Sequence, residues 1–297
     1  MVNEKEALRR KRIKQLGLVV VIAIMVVFLM PRITQSQSYH TFTDDVARRI
    51  AREDFEAGEE LILNFSLGNV LSNAAFLIIG IWGLITLWKQ YRKPTAFASR
   101  SEMWPYVIFF VGICLTAFGS AYYHHNPNDE TLVWDRLPMT ISFMSLLTIL
   151  LAERVSLRLS RILFIPLLAI GIYSVISWAI ENYFFGNGDL RLYVLVQFLP
   201  LVLILLIGRW FPSRYTHGSY IYLLFGFYAF AKLLEVLDTE VFLLSHLLSP
   251  WLISGHEAKH IIAAIGTYVL IPTLKKRTVK RVDEQLEADL STEVVVE

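Results

Sequence analysis

The chain has a single cysteine, Cys114, and it lies inside an apolar run. That excludes an internal disulfide and any thiolate metal cluster, and it leaves the redox compartment undecided. Charge is scarce too: only 18% of the 297 residues are Asp, Glu, Lys or Arg, and the net charge of +2 says little because the basic residues are unevenly placed. No internal repeat is evident. What the chain has instead is apolar length, with 55% hydrophobic residues and a mean hydropathy of +0.50. Successive apolar runs of about 17 to 23 residues, enough to cross roughly 30 Å of hydrocarbon, exclude an ordinary soluble core. The fold class expected is all-α: a polytopic transmembrane helical bundle.

Eight runs are expected to span, at residues 16–30, 67–88, 104–124, 132–152, 162–180, 192–208, 220–237 and 252–272. The first follows a basic stretch (Lys5, Arg9, Arg10, Lys11, Arg12, Lys14) that would suit a signal peptide. Met30-Pro-Arg-Ile-Thr34 offers no small-residue cleavage site, although Ser36 is near, so an uncleaved anchor is expected. Residues 31–63 are polar and amphipathic and are expected to hold a short interfacial helix. The acidic, Thr-rich tail after Arg281 reads as a solvated end. The division expected is an N-terminal anchor (1–38), a seven-helix domain (39–272) and a tail (273–297).

Charge sets the orientation. Segments 1–15, 89–103, 153–161, 209–218 and 273–297 hold 20 of the 28 Lys and Arg, whereas the alternate segments hold six. By the positive-inside rule both termini are cytoplasmic.

Polar chemistry gathers at one depth of such a bundle. Ser120 and His124 are four residues apart and share a helix face at the outward end of the third run; His256 and His260 are likewise four apart at the start of the last. Asp135 opens the run between. Three imidazoles on two helix ends make a plausible metal site, and zinc suits neutral histidines with an open position. His125 competes for the third place but is turned about 100° round the helix from His124. Asp135 and Arg136 read either as an ion pair at a helix start or, for Asp135, as a general base and acid beside the metal. Ser120 reads either as a hydroxyl bonded to its own backbone or as an oxyanion donor. Lys232, Glu235 and Asp238 are ionisable groups in the seventh run, functional by default but more simply a self-neutralising pair. Asn69, Ser72 and Asn73 are expected to bond between helices.

Asn69-Val-Leu-Ser-Asn73, Gly119-Ser-x-x-x-His124, Trp134-Asp-Arg-Leu-Pro-Met139 and Gly255-His-x-x-x-His260 stand in this order over roughly residues 39–272. Together they resemble the alkaline ceramidase family, especially its bacterial phytoceramidase-like branch, within the seven-helix membrane hydrolases that include adiponectin-type receptors. The resemblance implies zinc-dependent hydrolysis of the amide of ceramide or a similar membrane lipid. The zinc would be held by His124, His256 and His260, with Ser120 at the oxyanion and Asp135 moving protons. Eukaryotic members also carry an acidic calcium site near the first core helix. Asp44, Asp45 and Glu56 do not reproduce its spacing, so calcium has only weak support here. The first run is additional to the family's seven helices.

Other classes stay open at this level: a heptahelical lipid receptor with structural zinc, a haem protein using paired histidines, or a transporter built around Lys232 and Glu235. No nucleic-acid or protein partner is expected. The sequence does not name the lipid.

Overall fold

The structure is a computed structural model that describes residues 2–42, 67–93, 96–248 and 253–280. Asp44, Asp45, Glu56 and most of the expected interfacial helix lie outside the described residues, as does the tail beyond 280. Among the described residues the protein is an all-α helical bundle, with no strand beyond a lone bridge between Tyr215 and Val279. The helices are α1 (Val2–Leu29), α2 (Leu67–Ser72), α3 (Ala74–Tyr91), α4 (Met103–His125), α5 (Asp129–Leu150), α6 (Leu157–Phe185), α7 (Arg191–Trp210), α8 (Tyr220–Val236), α9 (Asp238–Leu248), α10 (Gly255–Tyr268) and α11 (Leu270–Lys276).

Six helical stretches are long and apolar enough to cross a membrane, and a seventh is added if α8 and α9 count as one bent span. The eighth expected run is divided at Val269 into α10 and α11. Its opening turns carry His256, Glu257, Lys259 and His260, which lower its hydropathy just where the site is built. The first helix starts well before its apolar run, because Glu, Lys, Ala, Leu and Arg are good helix formers and continue the turn back to Val2. It stops short of Pro31, which disfavours helix in the residue before it.

Position in the bundle separates the helices. The apolar window of α1 is 6% buried, against 83% for Asp129–Val155, so α5 is the central element and α1 an outer one. The first helix packs mainly along α7. Its end is tied there by Arg191, which donates to the carbonyl oxygens of Phe28 (3.0 Å) and Met30 (2.9 Å), and by the Leu190 N–H to Ile33 O (2.8 Å). Burial raises the Asp189 carboxyl in the same corner, but bonds from the Arg191 backbone and guanidinium outweigh it and hold the group below its ordinary range.

The most extensive packing joins α4 to α5. Asn128 and Thr131 form a capping box that starts α5 sharply after the Asn126–Pro127 turn. In lipid, where burial of apolar surface gives no drive, helices associate by close van der Waals approach at small residues. Gly119 is such a point: a Cβ there would overlap the Trp134 backbone carbonyl. The residue after each partner, Ser120 and Asp135, is thereby brought across the same seam.

At the far end of α5 a one-turn π segment, Leu151–Val155, buries Glu153. Its carboxylate accepts from Tyr106, Tyr220 (3.0 Å) and Arg277. The Arg277 guanidinium in turn lies over the rings of Tyr215 (4.3 Å), Phe97 (4.4 Å) and Tyr106 (4.9 Å). This pairing closes the bundle about 27 Å from Asp135, at 1.5 Å per helical residue.

Candidate metal centre and cavity

His124 ends α4, and His256 and His260 occupy the first two turns of α10. Local signals place that second helix. Ser254 caps it, accepting from the Glu257 N–H while the Glu257 carboxylate accepts from the Ser254 N–H, both at 3.1 Å. The chain bends by 81° between α8 and α9, and the bend carries Asp238 to the helix start, where it accepts from the His256 N–H at 2.7 Å. Gly255 makes room for this, since a Cβ there would stand 2.7 Å from the Asp238 Cα.

The three histidines converge. All are buried, their ring centroids are 4.8 to 5.1 Å apart, and one ligand atom from each lies within 4.8 Å of the others. The Nε2 atoms of His124 and His256 are 3.2 Å apart. Imidazoles that bind a cation at about 2.0 to 2.1 Å in tetrahedral geometry hold their nitrogens about 3.4 Å apart, so the His124–His256 pair stands close to ligand spacing. The Nδ1 side of His260 meets the Ser72 hydroxyl at 2.8 Å. Ser72 Oγ also lies 3.1 Å from the Asn69 carbonyl oxygen; with its proton given there it accepts from His260 Nδ1–H and leaves the His260 Nε2 lone pair for a metal. Among the described residues His124 Nδ1 is buried without a hydrogen-bond partner, and ring packing holds this imidazole. Phe42 stands edge-on to both His124 (4.8 Å) and His256 (4.6 Å). The segment bearing Phe42 is held by His40, whose ring nitrogens meet Tyr123 Oη at 3.0 Å and Asp129 at 2.9 Å. This buried triad could hold a metal ion.

A cavity of about 440 Å³ adjoins the triad. His260, Ser120 and Asp135 all line it. Ser120 is buried, and its hydroxyl stands beside the Asp135 carboxyl on the cavity wall. Arg136, Lys232, Glu235 and Lys259 line the same space, and the rest of the wall is mostly apolar, with Phe109, Ile113 and Leu146 among it.

The expected residues thus divide. His124 points inward while His125 is exposed, which resolves the competition between them. No ion pair joins Asp135 to Arg136; Arg136 donates to Gln35 at 2.6 Å and stacks on Trp178 and Tyr193. Lys232 does pair with Glu235 one turn on, and Lys259 joins the same carboxylate at 2.6 Å. Asn69 and Asn73 are buried outside the cavity wall; Asn73 donates to the Asn69 carbonyl oxygen in its own turn (2.7 Å), and Ser72 makes the bond to another helix. Lys259, Phe42, Gln35 and the orienting role of Ser72 were not found from sequence. A signal existed for Lys259, a charge between two histidines in an apolar run. The Ser254-x-x-Glu257 capping box was a second legible sign, marking where α10 begins.

Compared with models of known protein families the chain matches none, and no curated protein matches it in sequence.

Proposed function

We propose that the chain is an integral-membrane, zinc-dependent hydrolase that cleaves the amide bond of a lipid such as ceramide or phytoceramide, releasing a fatty acid. One observation carries this reading: His260, Ser120 and Asp135 line a single, mostly apolar cavity beside three converging imidazoles. Zinc bound by His124, His256 and His260 would supply Lewis acidity at the scissile carbonyl.

The chain's own groups supply the other parts. The Ser120 hydroxyl donates to the carbonyl oxygen as it gains negative charge. Asp135 takes a proton from the attacking water and returns it to the nitrogen, without which an amine is a very poor leaving group. Phe109, Ile113 and Leu146 bind the acyl chain and exclude bulk water. The lipid enters from the bilayer between helices. The termini are assigned to the cytoplasm and the site to the outward end, from the asymmetry of basic residues.

Asp135→Asn tests this assignment. The variant is expected to retain metal while amide turnover falls by about 100- to 10,000-fold. Wild-type turnover in a metal-retaining variant contradicts the proton role. A wild-type protein that holds zinc yet hydrolyses no lipid amide or ester offered would instead be a receptor with a structural site.

A further inference from the structure

The cavity is charged in a way that a neutral lipid does not need. Among the described residues it is lined by three cations, Arg136, Lys232 and Lys259, and by two carboxylates, Asp135 and Glu235. Glu235 is shared between both lysines and can offset only one of them. Arg136 is 5% exposed, and among the described residues no carboxylate lies within ion-pair distance of it, Asp135 being the nearby carboxyl that feels its charge. Among the described residues its one hydrogen-bond acceptor is the neutral side-chain oxygen of Gln35 at 2.6 Å, its Cζ lies 4.7 Å from the ring centres of Trp178 and Tyr193, and its Nη1 is buried without a partner. A guanidinium kept dry with an unused donor is costly unless something anionic completes it. Zinc in the adjoining triad would add further positive charge, because neutral imidazoles cancel none of it.

We propose that Arg136, assisted by Lys232 and Lys259, forms an anion subsite, and that the substrate is a single-chain amphiphile with a carboxylate next to its amide: the chemical class of N-acyl amino acids. This rests on the hydrolase reading above, keeps its amide chemistry, and puts an anionic single-chain amide in place of the neutral two-chain lipid. Asp135 and Arg136 are consecutive residues on one cavity wall, so a carboxylate held by Arg136 stands beside the bond that Asp135 serves. A volume of about 440 Å³ lies in the lower half of the roughly 300 to 1,000 Å³ usual for ligand sites, and suits one acyl chain. In the reaction water adds its hydroxyl to the acyl carbon, the C–N bond breaks, and the nitrogen takes the proton. A fatty acid and an amino acid leave.

The test is calorimetric binding to the detergent-purified full chain, both metal-stripped and zinc-loaded, with N-dodecanoylglycine, its neutral analogue N-dodecanoylglycinamide, and laurate. N-dodecanoylglycine is expected to bind about 10- to 100-fold more tightly than the glycinamide, the worth of a charged hydrogen-bonded contact. Arg136→Gln should abolish that preference. Lys232→Gln, a less buried position, should reduce it in part and serves if the arginine variant does not fold. Equal binding of the two ligands, or a preference untouched in both variants, overturns the subsite. Laurate bound more tightly than N-dodecanoylglycine would assign the cations to the released fatty acid and overturn the substrate class. Selective binding without hydrolysis by the zinc-loaded protein would defeat the hydrolase reading and leave the subsite standing. Hydrolysis of both amides with no charge preference would do the reverse.

Discussion

Ser72 Oγ joins His260 to the first core helix, lying 2.8 Å from His260 Nδ1 and 3.1 Å from the Asn69 carbonyl oxygen; with its proton on that carbonyl, the imidazole donates through Nδ1–H and keeps Nε2 for a metal. The two residues are 188 positions apart in sequence, on α2 and α10. Orienting partners of this kind raise the basicity of a ligand and hold its ring in place.

Ser72→Ala is therefore expected to keep the fold and weaken zinc binding by about 10- to 100-fold, the usual cost of losing such a partner. Titration of the purified protein against a chelator of known affinity measures it. Unchanged affinity would mean that His260 is oriented by packing alone.

Replacing His124, His256 or His260 by Ala should each lower metal occupancy to a small fraction of wild type. His125→Ala, at an exposed ring, and His217→Ala, in the loop after α7, should leave occupancy unchanged. Metal analysis of the five proteins side by side checks this. Equal loss from His217→Ala would sink the ligand assignment.

Gly119→Leu should destabilise the bundle by at least about 1 to 3 kcal/mol, the usual cost of overpacking, because a Cβ already overlaps the Trp134 carbonyl. Thermal unfolding in detergent measures this. Gly226→Leu is the control, since nothing lies within 4 Å of a Cβ at that position. Similar losses in both would show that the α4–α5 seam is not specially close.

The orientation drawn from the basic residues predicts that a reporter fused near Arg92 reads as cytoplasmic, as does one at either terminus. An outward signal at Arg92 would move the site to the opposite face.

Much of this architecture could be read from apolar length alone, because spans of fixed length leave few alternatives. The depth of His124, His256 and His260 was legible for the same reason: each lies where an apolar run begins or ends. The bend after Val236 was not. No proline or glycine marks it, and Asp238 reads as the end of the seventh run when it in fact opens α9. Nor could sequence show that Lys259 reaches Glu235, since that pair depends on how α8 and α10 pack. The ion pair of Arg136 with Asp135, one of the two readings open for these residues, rested on adjacency in sequence, the only neighbour relation available for Arg136. Its true surroundings, Gln35, Trp178 and Tyr193, come from three separate parts of the chain.

The central claim is that the buried histidines hold a zinc ion that works on a lipid amide in the adjoining cavity. Its most direct test is release of fatty acid, followed by mass spectrometry, from a panel of lipid amides by one preparation assayed as purified, after chelation, and after zinc is restored. The account predicts turnover that disappears on chelation, returns with about one zinc per chain, and does not return in His256→Ala. Turnover that survives complete removal of metal, or zinc bound at full occupancy with no amide cleaved, would contradict it.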